Sequence, residues 1–211
     1  MKINSIFKSI QGESTYAGLP CIFVRVGECN LRCTYCDTKY AYKKWKEIPL
    51  GSIVNKIKNF DCPLIEITGG EPLLQEEIYE LIEFLKQSKY KILLETNGSL
   101  NVERVDSSVV KIIDLKCPSS GMNDKIFWRN LKKITPKDQI KFVMATQEDY
   151  EWARKVIEER SLVKTATVLF APVFGRLHPQ KLADWILEDN LNVRLQLQIQ
   201  KYIWGTRKKN V

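Results

Sequence analysis

Histidine is almost missing: the 211 residues contain one, His178. Reactions and metal sites that need a pair of histidines, among them His-His-carboxylate centres and most zinc hydrolases, are thereby excluded. Long apolar runs are missing too, and no stretch approaches the ~20 residues that would span a bilayer. The opening MKINSIFKSIQGES shows neither the apolar h-region nor the cleavage site of a secretory signal, so a cytoplasmic rather than a membrane or exported protein is expected. Internal repeats, low-complexity tracts and linkers are absent as well, which leaves a single domain over 1–211. With 44% hydrophobic and 27% charged residues, the chain is large and apolar enough to bury roughly 70% of its unfolded surface.

Positive charge is in excess. Lys and Arg number 33 against 25 Asp and Glu, a net +8. A solvated lysine-rich surface accounts for this, and so does attraction to an anionic small molecule or to RNA. No sequence is left over for a separate RNA-binding domain, so nucleic acid is not the expected partner. The end Arg207-Lys208-Lys209 is too short to decide. Six cysteines are present. Cys21, Cys62 and Cys117 are scattered and read as buried apolar side chains. Cys29, Cys33 and Cys36 fall within eight residues, a spacing that in a reducing compartment points to metal or catalysis before disulfides.

From residue 50 onward helical and strand periods alternate. Leu50, Ile53, Val54 and Ile57 repeat at helical spacing, as do Leu74, Ile78, Leu81, Ile82 and Leu85. Thr146 with Asp149 is a capping-box signal for a helix over 147–160. Further helices are expected around 126–134 and over 179–189, the latter with Pro in its first turn. Strands are expected at 21–26, 64–67, 91–96, 109–115, 139–144, 165–171 and 193–200. This alternation implies right-handed βαβ units and a parallel sheet, either doubly wound or a partial barrel. The segment VRLQLQIQ favours the barrel. Its polar row, Arg194, Gln196, Gln198 and Gln200, would face either solvent at a sheet edge or a lumen holding a polar ligand.

Two motifs carry chemistry. Cys29-x-x-x-Cys33-x-x-Cys36 stands on the loop after the first expected strand. A zinc site needs four ligands, and no second CxxC completes one, although Cys21, Cys62, Cys117 or His178 could supply a fourth. Three soft thiolates suit a [4Fe–4S] cluster with one iron left open for substrate or cofactor. The second motif, Thr68-Gly69-Gly70-Glu71-Pro72, forms a tight strand-to-helix turn at the carboxyl end of a strand, where α/β proteins bind ligands.

Order and spacing together resemble the radical S-adenosylmethionine (SAM) superfamily. The resemblance implies a partial (βα) barrel of about six parallel strands with an N-terminal extension. It also implies an open iron that chelates the methionine part of SAM, and one-electron cleavage to a 5′-deoxyadenosyl radical. The segments Phe7 to Ser14, Pro20 to Arg25, Asp37-Thr38, Glu95-Thr96-Asn97-Gly98 and Gln198 to Gly205 narrow this further. Nearly end to end they resemble the 7-carboxy-7-deazaguanine synthases. Those enzymes convert 6-carboxy-5,6,7,8-tetrahydropterin to 7-carboxy-7-deazaguanine with loss of ammonia. They use SAM catalytically, need Mg²⁺ and an external one-electron donor, and work as homodimers.

Carried over residue by residue, the resemblance assigns Cys29, Cys33 and Cys36 to the cluster and Thr38 to Mg²⁺. Tyr35, Cys36, Asp37, Gly70, Asp114, Leu115, Lys116 and Ala171, Pro172, Val173 and Phe174 would hold SAM. Ile10, Gln11, Gly12, Arg25, Thr68 and Gln200 would hold substrate. The Ile10-Gln11-Gly12 backbone and the Gln11 amide can pair with the guanine-like edge of a pterin, and the Arg25 fork can hold a carboxylate. Glu13 either accepts from the pterin amino group or caps its loop. Two positions depart from the family pattern. Gln200 stands where relatives often carry His, and Ile-Ile-Asp-Leu-Lys at 112–116 stands where better-known members have Ser-Pro-Lys. An alternative within the superfamily is an activase that installs a glycyl radical on a partner enzyme. A non-enzymatic electron carrier would explain the cysteines alone.

Overall fold

The structure, a computed structural model, describes residues 1–206 and Lys208, so that Arg207 and Lys209 of the basic end lie outside it. Its nine strands form a single open sheet in the order β3-β1-β2-β4-β5-β6-β7-β8-β9. Strand β1 (Lys2–Ile10) pairs antiparallel with β2 (Pro20–Val26) and with the two-residue β3 (Lys46–Glu47). From β2 onward every pairing is parallel, through β4 (Leu64–Gly69), β5 (Lys91–Thr96), β6 (Val110–Asp114), β7 (Gln139–Met144), β8 (Thr167–Pro172) and β9 (Arg194–Leu195). Parallel strands laid down in sequence order, with right-handed crossovers, keep their helices on one face and curl the other into a trough. That is the expected partial barrel, left open between β3 and β9.

The helices follow the apolar periods. α1 (Leu50–Lys58) buries Ile53, Val54 and Ile57, and α2 (Glu77–Gln87) buries Ile78, Leu81, Ile82 and Leu85. Leu74 departs from the expected stripe: it lies in a 3₁₀ turn ahead of α2 and is exposed. α3 (Gln147–Arg160) starts with the expected capping box, Thr146 Oγ1 accepting from Asp149 N–H. α4 (Pro179–Glu188) starts on proline, and the helix expected around 126–134 is a 3₁₀ helix at Trp128–Lys133.

Strand β1 has no clean alternation in KINSIFKSI. Its buried side chains, Ile3 and Ile6, are three apart because the register with β2 shifts between Ile3 and Ser5. The C-terminal segment corrects an expectation. Only Arg194 and Leu195 pair with β8, and Ile199–Trp204 form a short helix, α5. After Gln196 N–H donates to the Phe170 carbonyl, the chain leaves the sheet, and Ile199 N–H donates to the Gly12 carbonyl at 3.1 Å. The glutamine row is therefore not a strand face. Cys21, Cys62 and Cys117 are buried, as their isolation suggested.

Candidate active site

The carboxyl ends of the parallel strands open into a cavity of ≈ 290 Å³. Its wall includes all three clustered cysteines, Thr38, Gly70, Arg25 and Thr68, together with the ends of β6 and β8. Leu115 is the exception among the expected ligand-binding residues. Its side chain is buried away from the cavity, and its N–H donates to the Lys141 carbonyl.

The cysteine loop is held from three sides. Thr34 N–H and Oγ1 donate to the Ser120 and Ser119 carbonyls, Tyr35 Oη donates to the Val143 carbonyl at 2.9 Å, and Arg32 caps the Cys29 and Leu31 carbonyls. Cys29 Sγ accepts from Leu31 N–H at 3.4 Å and from Asn97 Nδ2 at 3.6 Å. Burial pushes the Cys29 and Cys33 thiols upward. The donors from Leu31 and Asn97 oppose this at Cys29, and the Lys116 ammonium opposes it at both. Among the described residues, no three His, Cys, Asp or Glu side chains converge as one metal ion requires. The three thiols line one cavity, with N–H donors and a cation that would stabilise thiolate charge, a soft donor set that suits a polynuclear iron–sulfur group better than a single ion.

The glycine turn follows the cysteine loop at van der Waals distance. Gly69 has φ +122°, which favours glycine, and a Cβ on Gly70 would lie 1.5 Å from the Glu28 carbonyl oxygen. Gly70 N–H donates to Val26 O and Glu71 N–H to Glu28 O, tying the turn to the end of β2. The Glu71 carboxylate is wholly buried and accepts from Leu73 N–H, Thr96 Oγ1 and Asn97 N–H. Burial raises its pKa to about 6, against those three donors. Sequence reasoning gave Glu71 and Asn97 no role, though both stood in motifs already singled out.

The cavity floor is densely charged. Lys141, from β7, bonds Glu95 and lies 3.2 Å from Glu13 and 3.9 Å from Asp114. Burial acts against its charge, but Glu95, Glu13 and Asp114 hold it well above the usual lysine range. Burial likewise acts to raise Glu95, and Lys141 and Thr68 Oγ1 bring it below the usual carboxylate range. Lys116 forms a 2.7 Å pair with Asp114. None of Lys141, Glu95 and Glu66 was assigned from the sequence. Lys141 and Glu66 lie within apolar strands, where only the alternation of faces reveals which side chains reach the lumen, whereas Glu95 stood in the Glu95–Gly98 motif.

The QGES loop and the C-terminal segment close the cavity together. Glu13 accepts from Gln196, Gln198 and Gln200, so the glutamine row points inward at one carboxylate. Its part is to latch the two segments. Lys201 pairs with Asp37 at 3.0 Å, and burial, which would raise Asp37, is outweighed by that cation. Gln11 lines the cavity and is anchored within the protein. Its Nε2 donates to Glu66 and its Oε1 accepts from Glu13 N–H, while its backbone N–H and carbonyl bond Leu19 and Gly18. One N–H and one lone pair of its amide remain for a ligand. Three of the four buried side-chain polar atoms without a partner among the described residues lie in this cavity: Arg25 Nε, Asp114 Oδ1 and Gln200 Oε1. Buried polar atoms are normally satisfied, so the cavity fits polar ligands at the sites expected for SAM and substrate.

Comparison with known proteins agrees with this geometry. The radical SAM superfamily model matches residues 24–159. The 7-carboxy-7-deazaguanine synthase of Koribacter versatilis is 44% identical over 100% of both chains. That of Chlorobaculum tepidum is 42% identical over 100% of this chain and 97% of its own. The crystal structure of QueE from Escherichia coli superposes with a TM-score of 0.78 at 20% identity, covering 93% of each chain, and shows the same fold. The chain thus belongs to the 7-carboxy-7-deazaguanine synthase family of the radical SAM superfamily.

Proposed function

We propose that this chain converts 6-carboxy-5,6,7,8-tetrahydropterin to 7-carboxy-7-deazaguanine with loss of ammonia, regenerating SAM in each cycle and requiring Mg²⁺. The observation that carries the reading is the joint placement of Cys29, Cys33, Cys36 and Gly70 around one cavity that Arg25, its Nε buried and unpartnered, also lines. When bound, the cluster supplies the electron that cleaves the SAM sulfonium bond and so generates the hydrogen-abstracting radical. The protein's own part is placement and charge. Gly70 would receive the methionine amine, while Tyr35, Asp37, Asp114, Lys116 and the Ala171–Phe174 segment line the rest of the SAM site.

Arg25 holds the substrate carboxylate through its guanidinium fork, and Nε is one donor still open for it. Thr38 Oγ1 offers Mg²⁺ a single hard ligand, with substrate oxygens and water completing the shell. Gln200 Oε1 is an open acceptor beside Gly12 but cannot titrate, so the contact persists without carrying a proton. Lys141 holds its proton at Nζ between Glu95 and Glu13. The charge-lined cavity, flanked by the QGES loop and the C-terminal glutamines, favours a small polar molecule over the protein segment that a glycyl-radical activase must admit. The same reading includes a homodimer in a reducing, cytoplasmic compartment with an external electron donor. No helix among the described residues is long and apolar enough to cross a membrane.

The test is anaerobic turnover of cluster-reconstituted protein with reductant, SAM and the carboxypterin, with and without Mg²⁺, followed by mass spectrometry. Formation of 7-carboxy-7-deazaguanine with many turnovers per SAM consumed, stimulated by Mg²⁺, is expected. Release of 5′-deoxyadenosine and methionine without that product would overturn the substrate assignment. Light scattering in solution checks the dimer.

A further inference from the structure

Glu66 is a polar residue placed where strand β4 would otherwise be apolar. Ile65 and Ile67, its neighbours, are fully buried toward the helices, while Glu66 and Thr68 share the opposite face and both line the cavity. Only 5% of Glu66 is exposed. Its one hydrogen bond among the described residues comes from Gln11 Nε2. Each of the other acids on this floor has a cation: Glu13 and Glu95 bond Lys141, and Asp114 bonds Lys116. A buried carboxylate with a single neutral donor is costly unless something else supplies donors.

Burial raises Glu66 to about 8, with the negative charges of Glu95 and Glu13 adding to it and Lys141 and the Gln11 donor opposing. A ligand edge carrying two N–H donors would relieve that penalty. The Gln11 amide spends one N–H on Glu66 and one lone pair on Glu13 N–H, so it presents the Glu66 carboxylate to the lumen rather than pairing fully with such an edge itself.

We propose that Glu66 is the specificity-determining residue for the heterocycle, its carboxylate accepting two parallel hydrogen bonds from the adjacent ring N–H and exocyclic amino group of a 2-amino-4-oxo pyrimidine ring. The inference rests on the function proposed above and names the group that selects the amino-bearing ring. Two residues along the strand from Thr68, about 6–7 Å deeper in the lumen, it sits below the level of Gly70 and the cysteine loop. An ionised carboxylate offers only acceptors and matches two donors. It repels a 2-oxo ring, whose carbonyl would face it.

The experiment compares, at about pH 9 where Glu66 is ionised, anaerobic binding of 6-carboxytetrahydropterin and of its 2-oxo counterpart, the 6-carboxytetrahydrolumazine, to the SAM-loaded holoenzyme and to Glu66→Gln. Wild type should prefer the pterin by about ten- to a hundredfold. A carboxamide presents one acceptor and one donor, so Glu66→Gln should abolish or reverse that preference. An equal loss of affinity for both rings, or an unchanged preference, would overturn the proposal by making Glu66 structural. If Glu66→Gln does not fold, wild type alone still decides, since equal binding of the two rings by wild type overturns it. Wild type that neither binds nor turns over the pterin instead overturns the proposed function. Turnover of the pterin with a preference indifferent to Glu66→Gln leaves that function standing and removes only this inference.

Discussion

The Glu71 carboxylate accepts the backbone N–H of Asn97 at 2.7 Å, and so joins the glycine turn after β4 to the loop after β5. The Asn97 side chain continues the chain of contacts, donating to Asn30 Oδ1 at 2.9 Å and reaching Cys29 Sγ at 3.6 Å. Two motifs far apart in sequence thereby fix the first cluster cysteine. An N–H donor to a ligand sulfur stabilises the more negative, reduced cluster. Asn97→Ala should therefore lower the reduction potential of the reconstituted cluster while costing only about 1 kcal/mol of stability. A redox titration followed by electron paramagnetic resonance checks this, and an unchanged potential would show that the amide does not act on the sulfur.

Gly70 meets backbone, not a side chain that can swing away. Its Cβ would overlap the Glu28 carbonyl, and Glu28 immediately precedes Cys29. Gly70→Ala should displace the cysteine loop, lowering bound iron and acid-labile sulfide after reconstitution while the circular dichroism of the sheet and helices persists. Full iron content in this variant would contradict the close approach.

Lys141 is the cation that balances three carboxylates. Lys141→Met leaves the partly buried Glu95 and Glu13 without it, a loss of about 2–3 kcal/mol, below that of broken fully buried pairs. Denaturant unfolding measures the loss. The deficit should shrink as pH falls, because protonating the stranded carboxylates removes their repulsion and their desolvation cost.

Glu66 gives a pH dependence of determinate sign. Its pKa in the folded protein is raised to about 8, whereas the unfolded chain releases the proton near the ordinary glutamate value. Between those values the native state binds more protons than the unfolded state, so stability declines as pH rises through the window and levels off above it. Relative to Glu66→Gln, wild type should lose melting temperature between about pH 5 and 8. Affinity for a ligand that donates to the carboxylate should rise over the same window and stop doing so in Glu66→Gln. A pH-independent difference between the two proteins would show that Glu66 is ionised throughout.

The parts of this molecule that could be read from the chain are those written in local spacing. Cysteines four and three apart need only one loop to converge. Thr68 to Pro72 declares a strand end, and the stripes Ile53–Ile57 and Ile78–Leu85 declare helices, because each depends on neighbours within a turn or two. Strand β1 was not legible, since its irregular register separates Ile3 and Ile6 by three residues and hides the period of two. The glutamine row carries the alternation that signals a strand, yet only Arg194 and Leu195 pair with β8. Its partner, Glu13, lies 183 residues or more away in sequence, and nothing local announces that three amides converge there.

Sequence by itself thus determined the loop that brings three cysteines to the cavity, the parallel βα architecture and the family. Tertiary structure decided how the charges are matched: that Lys141 serves Glu95 and Glu13, that Gln11 is anchored between Glu66 and Glu13, and that Glu66 is left with a single neutral donor. Spacing along the chain specifies which face a side chain occupies. Which charge neutralises which depends on distances between strands, and those exist only once the sheet has curled around its lumen.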